Sequence, residues 1–147
     1  MKETLILSYI GSLADSYPIE GLLESINEIK DKVIIKLQFV GTISENQADL
    51  IKTTISEVEF IGQVDHQEAI QYMCKANILL CVLPLGYIYT PGKLFEYIAA
   101  KKPILCIGSK DSDAAGVLKK CGHGTTYDYN DIDGIAHFLS TMVGYDN

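Results

Sequence analysis

Short apolar runs alternate with amphipathic segments along the whole chain. "TLILSYI" (4–10) is mainly apolar up to Gly11, which is typical of a buried strand. "PIEGLLESINEIKDK" (18–32) instead places its leucines and isoleucines at helical spacing, with Pro18 in a first turn that tolerates proline. The pattern predicts six strands, at 4–10, 33–41, 58–62, 77–84, 102–108 and 124–129. It predicts six helices, at 18–32, 44–55, 65–76, 92–101, 112–122 and 131–143.

Polar residues mark where several of these helices begin and end. Ser44 with Gln47 three residues later is a capping-box pattern, and Asp65 and Asp131 precede helical segments as caps do. Gly122 follows the last residue of a helical pattern, where a left-handed residue often ends a helix.

Strict alternation of strands and helices with short links predicts one α/β domain over residues 1–147. We expect a doubly wound, mainly parallel six-stranded sheet with helices on both faces. Ligands of such sheets bind outside the carboxyl ends of the strands. The ends in question are Gly11-Ser12, Gly41-Thr42, Gly62-Gln63, Pro84 to Pro91, and Gly108-Ser109, and four of these five have glycine directly after the strand. Each of these glycines is equally compatible with ordinary turn chemistry.

The charge balance is acidic, with 19 acidic against 12 basic residues and a formal net charge of -7. Nucleic acids and anionic membranes favour clustered lysine and arginine, so neither is expected as a partner. The sequence shows neither a secretory signal pattern nor an apolar run of membrane-spanning length, and we expect a cytoplasmic domain.

The four cysteines, at 74, 81, 106 and 121, show no C-x-x-C spacing, and we expect buried free thiols in a reducing compartment. Of the histidines, His66 is expected at the surface and His137 in packing, while His123, between two glycines, is a catalytic candidate. No metal-ligand pattern is evident. "DYNDIDG" (128–134) only loosely follows a calcium loop, and a cap at Asp131 is favoured.

The segment "TPGKLFE" (90–96) carries the chemistry most typical of a site. A helix start presents free N–H groups and the positive end of the helix dipole, which attract phosphate. Thr90 adds a hydroxyl, Gly92 allows close approach of backbone, and Lys93 adds a charge. Glu96 lies one turn further on, so its carboxylate can point back and accept two hydrogen bonds from a ribose diol. The alternative is a solvated Lys93 and a surface Glu96 on an ordinary amphipathic helix.

The longer stretch "PGKLFEYIAAKKPILCIG" (91–108) resembles the donor-binding segment of the glycosyl transferases group 1 family. Members of that family are retaining, two-domain (GT-B) enzymes. "SYIGSLADSYPIEGLLESI", "VEFIGQVDHQEAIQYMCKANILLCVLP" and "AAGVLKKCGHGTTYDYNDIDGIAHFL" resemble other segments of the same nucleotide-binding half, in the same order. The resemblance covers nearly all of the chain. It implies a Rossmann-like half of the GT-B fold.

The resemblance also implies a role for each matching position. Glu96 is expected to bind the ribose, and the base is expected to lie beside Ile61, Gly62 and Val64. Positions around the diphosphate come from two sides of a cleft, namely Gly11, Ser12, Gly92, Lys93 and Leu94, and the helix-start chemistry adds Thr90. Ile88 falls on the side of the donor sugar. Tyr87, with Tyr89 in the same loop, is expected to contact either that sugar or an incoming partner domain.

Two positions depart from the family pattern. Many members carry a second glutamate where this chain has Ile88, and an arginine where it has Ser12. No base occurs anywhere in 12–29, so a leaving diphosphate would depend on Lys93, the helix dipole and backbone donors.

These observations predict the donor-nucleotide-binding, C-terminal-type domain of a retaining glycosyltransferase. The implied donor is a nucleotide-diphosphate sugar, bound without metal or other cofactor. The acceptor-binding half is expected outside this chain, in cis or in trans, so the isolated domain should be inactive. One alternative is half of a nucleotide-sugar epimerase of the same architecture. Another is a non-catalytic Rossmann-like interaction module, which Ser12 and Ile88 favour.

Overall fold

The computed structural model describes residues 2–144, and all twelve predicted elements are present. The strands are β1 Thr4–Ile10, β2 Ile34–Val40, β3 Val58–Gly62, β4 Ile78–Val82, β5 Ile104–Ile107 and β6 Gly124–Tyr127. The helices are α1 Glu20–Glu28, α2 Glu45–Thr54, α3 His66–Lys75, α4 Gly92–Ala99, α5 Asp113–Cys121 and α6 Ile132–Thr141. Most elements are a few residues shorter than predicted. Pro18 lies outside α1, whose cap is Ile19, so its expected place in the first helical turn is wrong.

The six strands form one sheet in the order β3-β2-β1-β4-β5-β6. Every neighbouring pair is parallel, which confirms the predicted sheet. The chain builds outwards from β1 in one direction and then returns to place β4 on the other side of β1. This reversal is the point where the connections on either side leave a crevice at the carboxyl ends of the strands.

Helices cover both faces of the sheet, as predicted. One core cluster joins α1, α2 and α6 to the sheet through side chains such as Leu22, Ile51 and Leu139. The other joins α3, α4 and α5 to the opposite face through Met73, Leu94 and Leu118. The central strand β4 is buried at every position, as expected of a parallel strand covered on both sides.

The predicted helix caps form, with one difference. The Ser44 hydroxyl accepts a hydrogen bond from the Gln47 N–H (3.2 Å), and Asp65 and Asp131 accept comparable bonds at α3 and α6. Gly122 ends α5 with a φ of 74°. The side chain of Gln47 does not complete a capping box, because its amide donates to two carbonyl oxygens of the turn after β1, those of Ala14 (3.0 Å) and Tyr17 (2.7 Å). The cap therefore also ties α2 to that turn.

Two expectations about burial are wrong. Cys74 is exposed and Cys121 only partly buried, while Cys81 and Cys106 are buried free thiols. In α3 the core face passes through Met73, and the next residue is rotated by about 100° towards solvent. His137 is also exposed, because the buried face of α6 consists of the residues on either side of it, Ile135, Ala136, Phe138 and Leu139.

Within residues 2–144, no helix is long and apolar enough to cross a membrane. The same residues contain no cluster of three or more His, Cys, Asp or Glu that could hold a metal ion.

Candidate functional site

Two adjoining cavities lie at the carboxyl edge of the sheet, where the strand order reverses. The switch-point cavity, of about 320 Å³, lies between the turn after β1, the loop after β4 and the first turn of α4. The outer cavity, of about 240 Å³, is enclosed by the turns after β1, β2 and β3 and by the start of α3. Gly11, Ser12 and Lys93 line both cavities. One extended ligand could therefore occupy both.

The turn after β1 is shaped by glycine. Gly11 and Gly41 have φ values of 133° and 136°, which side chains rarely adopt. A Cβ added at Gly41 would overlap the carbonyl of Gly11, so the two turns pack backbone against backbone. The hydroxyl of Tyr9 donates to the Ser12 carbonyl (2.8 Å), and the Thr42 hydroxyl donates to the Ser12 hydroxyl (2.9 Å). The turn at Gly11 and Ser12, which lies between the two cavities, is thus fixed by contacts with Gly41, Tyr9 and Thr42.

A carboxylate follows in this turn. Asp15 accepts hydrogen bonds from the Ser44 hydroxyl and the Asn46 amide, and these bonds lower the pKa of its carboxyl group below the ordinary value. Asp15 is fully exposed and its charge is directed to the start of α2. The turn therefore presents backbone groups and hydroxyls to the cavities, with no base of its own.

Helix α4 begins directly at the cavity. Pro91 is its N-cap, and among the described residues no side chain caps the first turn. Gly92, Lys93 and Leu94 all line the switch-point cavity. Free N–H groups and the positive end of the dipole at this position suit an anionic ligand.

Glu96 lies one turn into α4, with its carboxylate turned towards Lys93. Its Oε2 is 3.2 Å from the Lys93 Nζ, and its Oε1 is 3.6 Å from the His66 Nε2 at the start of α3. The side chains of Lys93 and Glu96 are each 35% exposed, so neither is fully solvated. The contact with His66 is an ion pair only when the imidazole is protonated. Glu96 itself lines neither cavity, but its carboxylate contacts Lys93, which lines both, and His66, which lines the outer one.

The other predicted site residues are distributed unevenly. Tyr87 lines the switch-point cavity, and Val64 lines the outer one together with Gln63. Ile61 and Gly62 end β3 just before this wall and are not among its lining residues. Thr90 and Ile88 belong to the loop that precedes α4 but line neither cavity.

Ile88 is exposed, and its carbonyl accepts a hydrogen bond from the Asp113 N–H (2.8 Å), which ties the loop to α5. His123 precedes β6, and its carbonyl accepts from the Ile104 N–H at the start of β5. This is the amino edge of the sheet, so the catalytic hypothesis for His123 does not apply to the site at the carboxyl edge.

Sequence reasoning missed several residues of the site, chiefly aromatic ones. Tyr9, Tyr17 and Tyr97 line the switch-point cavity, and burial raises the pKa of Tyr9 and Tyr97 above the ordinary tyrosine value. Both hydroxyls are therefore protonated hydrogen-bond donors at neutral pH. Tyr97 follows Leu94 by three residues, so the helical pattern marks it as a core position without indicating what its hydroxyl contacts.

The fold is that of a Rossmann-like α/β domain with its crevice at the reversal of strand order. The chain belongs to the glycosyl transferases group 1 family, whose model matches residues 4–143. No curated protein sequence matched the chain.

Solved structures of glycosyltransferases share this fold at low sequence identity. The lipopolysaccharide outer core galactosyltransferase WaaB in its apo form is 15% identical with a TM-score of 0.71, and the match covers 95% of this chain and 40% of WaaB. HepE of Anabaena, solved with UDP and glucose, is 14% identical with a TM-score of 0.72, over 95% of this chain and 39% of HepE. The C-terminal domain of the group 1 protein LpcC from Francisella tularensis is 15% identical with a TM-score of 0.70, over 96% of this chain and 76% of that one.

These likenesses establish the fold. This chain spans about 40% of the length of WaaB, and it matches LpcC over a chain that consists of the C-terminal domain alone.

Proposed function

We propose that this chain is the donor-nucleotide-binding domain of a retaining glycosyltransferase. The observation that carries the proposal is the placement of the Lys93–Glu96 pair at the uncapped start of α4, beside the crevice where the strand order reverses. The parent enzyme would transfer a glycosyl group from a nucleotide-diphosphate sugar to an acceptor. Membership of the glycosyl transferases group 1 family supports this reaction class.

In this proposal the diphosphate lies between the start of α4 and the turn at Gly11 and Ser12. Lys93 already reaches both cavities, so its ammonium can exchange the Glu96 carboxylate for a phosphate oxygen. That exchange would leave Glu96 free to accept hydrogen bonds from two ribose hydroxyls. The base would occupy the outer cavity against Val64, and the sugar would lie on the side of Tyr87 and Ile88.

Binding by this domain alone should be weak. Lys93 is the one basic side chain that lines the switch-point cavity within the described chain, and in the free domain it is paired with Glu96. We expect a Kd on the order of 0.1–1 mM for a nucleoside diphosphate, because half of a cleft with one base supplies few contacts.

The acceptor half is proposed to come from another part of the parent protein or from another chain. Residues 2–144 expose six large apolar side chains, and four of them lie between 85 and 95, namely Leu85, Ile88, Tyr89 and Phe95. They belong to the loop after β4 and to α4, which both border the switch-point cavity. An apolar rim of this kind suits contact with a second domain across the crevice.

HepE was solved with UDP and glucose and also with UDP-glucose, which makes uridine nucleotides the first ligands to test. We propose, from the family resemblance, that the donor is bound without a metal ion or other cofactor. Titrations repeated in the presence of a chelator examine that part of the proposal, and a large loss of affinity on chelation would contradict it.

Calorimetric or NMR titration with UDP, GDP and ADP tests donor binding. Glu96→Ala should remove most of the affinity, whereas Glu57→Ala, at the opposite edge of the sheet, should leave it unchanged. A ribose-free acyclic analogue should bind wild type about as weakly as UDP binds the Glu96→Ala variant. Equal affinity of wild type for UDP and for this analogue would exclude ribose binding by Glu96.

Activity provides a second test. Holding donor and acceptor together can lower a barrier by roughly 7–11 kcal/mol, and one domain cannot do this for both substrates. The isolated domain should therefore form no glycoside from radiolabelled nucleotide sugars and a panel of acceptors. Product above the level of a Glu96→Ala control would show that the domain is complete by itself.

Ser12 and Ile88 favour a second candidate, a non-catalytic interaction module. Both stand where many family members have a charged residue that faces the donor. Failure of all three nucleotides to bind at millimolar concentration would favour the module over the enzyme.

A further inference from the structure

We propose that Tyr97 is a positioning residue for the donor site, because its hydroxyl joins α4 to the end of β1 and to the middle of β4, the two strands between which the sheet order reverses. This inference rests on the proposed function for its ligand, but its structural part can be tested without one. Tyr97 itself is not proposed to contact the reacting atoms.

The hydroxyl of Tyr97 lies at the end of the β1–β4 ladder. The last residue pair of that ladder is Tyr9 with Leu80. The Tyr97 hydroxyl accepts a hydrogen bond from the Ile10 N–H (2.9 Å) and donates one to the Leu80 carbonyl (3.0 Å). One oxygen atom thus bridges the two strands whose separation opens the crevice.

These two hydrogen bonds connect α4 to the sheet, and they form only when the helix has a defined position and rotation. Within residues 2–144, the side-chain hydrogen bonds from α4 to the strands are the two made by Tyr97. The helix is eight residues long, and its N-cap, Pro91, makes no side-chain cap bond. Apolar contacts of Leu94 hold the helix against the core but do not select its rotation or its position along its axis with the same precision.

Two residues that precede Tyr97 in α4 depend on that position. Glu96 directly precedes it, and Lys93 lies one turn before it on the wall of both cavities. A small rotation of α4 would move the carboxylate relative to the ribose position and the first-turn N–H groups relative to the diphosphate. Tyr97 is also fully buried, and burial raises the pKa of its hydroxyl, so the bridge persists across the neutral pH range.

The test is a double-mutant cycle between Tyr97→Phe and Glu96→Ala, read by UDP titration. Phenylalanine keeps the ring and its packing and removes only the bridging oxygen. If Glu96→Ala weakens UDP about tenfold in the wild-type background, it should weaken UDP by less than about threefold in the Tyr97→Phe background, since neighbouring residues that act together are not additive. The preference for UDP over a ribose-free analogue should fall in the same variant.

A matched control removes another buried hydroxyl. Ser25 in α1 is fully buried, and its hydroxyl donates to the Gly21 carbonyl (2.7 Å) and the Ile132 carbonyl (3.1 Å). Ser25→Ala should lower the melting temperature as Tyr97→Phe does, yet leave UDP affinity and ribose preference unchanged. An additive cycle, or an equal loss of affinity for UDP and its ribose-free analogue, would reduce Tyr97 to a general role in stability and overturn the inference.

Ligand-free measurements separate this inference from the proposed function. Absence of binding of UDP, GDP and ADP by the wild-type domain would reject the proposed function alone. In amide NMR spectra without ligand, Tyr97→Phe should shift the signals of Gly92 and Lys93, and Ser25→Ala should not. Slow hydrogen exchange of the Ile10 amide is expected in the wild-type protein, and fast exchange there would overturn the inference even if Tyr97→Phe failed to fold.

Discussion

The two edges of the sheet carry cavities of similar size and opposite character. The amino edge has a cavity of about 260 Å³ whose lining includes Lys2, Lys30, Asp31 and Glu57. The switch-point cavity at the carboxyl edge is about 320 Å³, with Lys93 as its basic residue within the described chain. The two volumes differ little, and the two lysines of the amino edge against one at the carboxyl edge would favour the amino edge as the anion site.

Backbone polarity distinguishes the two edges. The amino edge receives the ends of α1 and α2, near Asn27 and Ile55, where carbonyl groups and the negative end of the dipole face the cavity. The carboxyl edge receives the starts of α3 and α4, where N–H groups point outwards. The comparison indicates that strand and helix direction, more than side-chain charge, makes the carboxyl edge the better candidate for the proposed diphosphate site.

The largest expected effect is on the packing of the carboxyl edge. Gly41→Ala should lower the free energy of unfolding by about 3 kcal/mol, because the new Cβ overlaps the Gly11 carbonyl at a φ that alanine rarely adopts. Gly116→Ala is the control, since its Cβ meets open space on exposed α5 and should stabilise by up to ~1 kcal/mol. Urea unfolding of both variants measures the difference, and similar stabilities would show that the two turns are not in close contact.

The next effect compares one lysine at each edge. Lys93→Ala should weaken UDP binding about tenfold, as expected for loss of one charge-assisted contact of roughly 1.5 kcal/mol. Lys30→Ala should leave the affinity unchanged, although it removes the same charge from a similar cavity. The opposite ranking in a titration would place the nucleotide at the amino edge.

Alkaline pH should lower the stability of the folded protein through two buried tyrosines at the carboxyl edge. Burial raises the pKa of Tyr9 and Tyr97 in the folded state, so the folded protein holds these protons more tightly than the unfolded chain. Their contribution to stability is complete below the ordinary tyrosine pKa of about 10 and is lost as pH rises above it, by up to about 1.4 kcal/mol per pH unit for each group. Tyr97→Phe should reduce this slope in melting experiments between about pH 10 and pH 11, and an unchanged slope would show that Tyr97 titrates normally.

Thiol labelling gives the smallest and most local signal. Cys74 is exposed and should react first with a thiol reagent, whereas Cys81 lines the switch-point cavity but is almost fully buried. The hydrogen bond shared with Cys106, together with burial, raises the pKa of Cys81 well above its ordinary value, which slows it further. UDP should protect Cys81 and leave Cys74 unaffected. Protection of Cys74 instead would place the ligand elsewhere.

Local sequence determined the elements and the chemistry of one helix start. Periodic leucines and isoleucines specify α1 because a helix must bury one face, and Ser44, Asp65 and Asp131 specify helix starts because each side chain reaches an N–H three residues on. The Lys93–Glu96 contact is also local, since residues three apart on a helix are neighbours. These features involve residues close in sequence, so a pattern of a few positions suffices to predict them.

Tertiary structure decided what the helix start faces. The placement of β4 beside β1 brings Tyr97 to Ile10, 87 residues away in sequence, and the packing of α3 brings His66 to Glu96. The exposure of Cys74 and His137 likewise depends on which side of each helix meets the sheet. No local pattern encodes these contacts, because a parallel strand can pair with any other buried strand, and the choice is made by the packing of all the helices on both faces together.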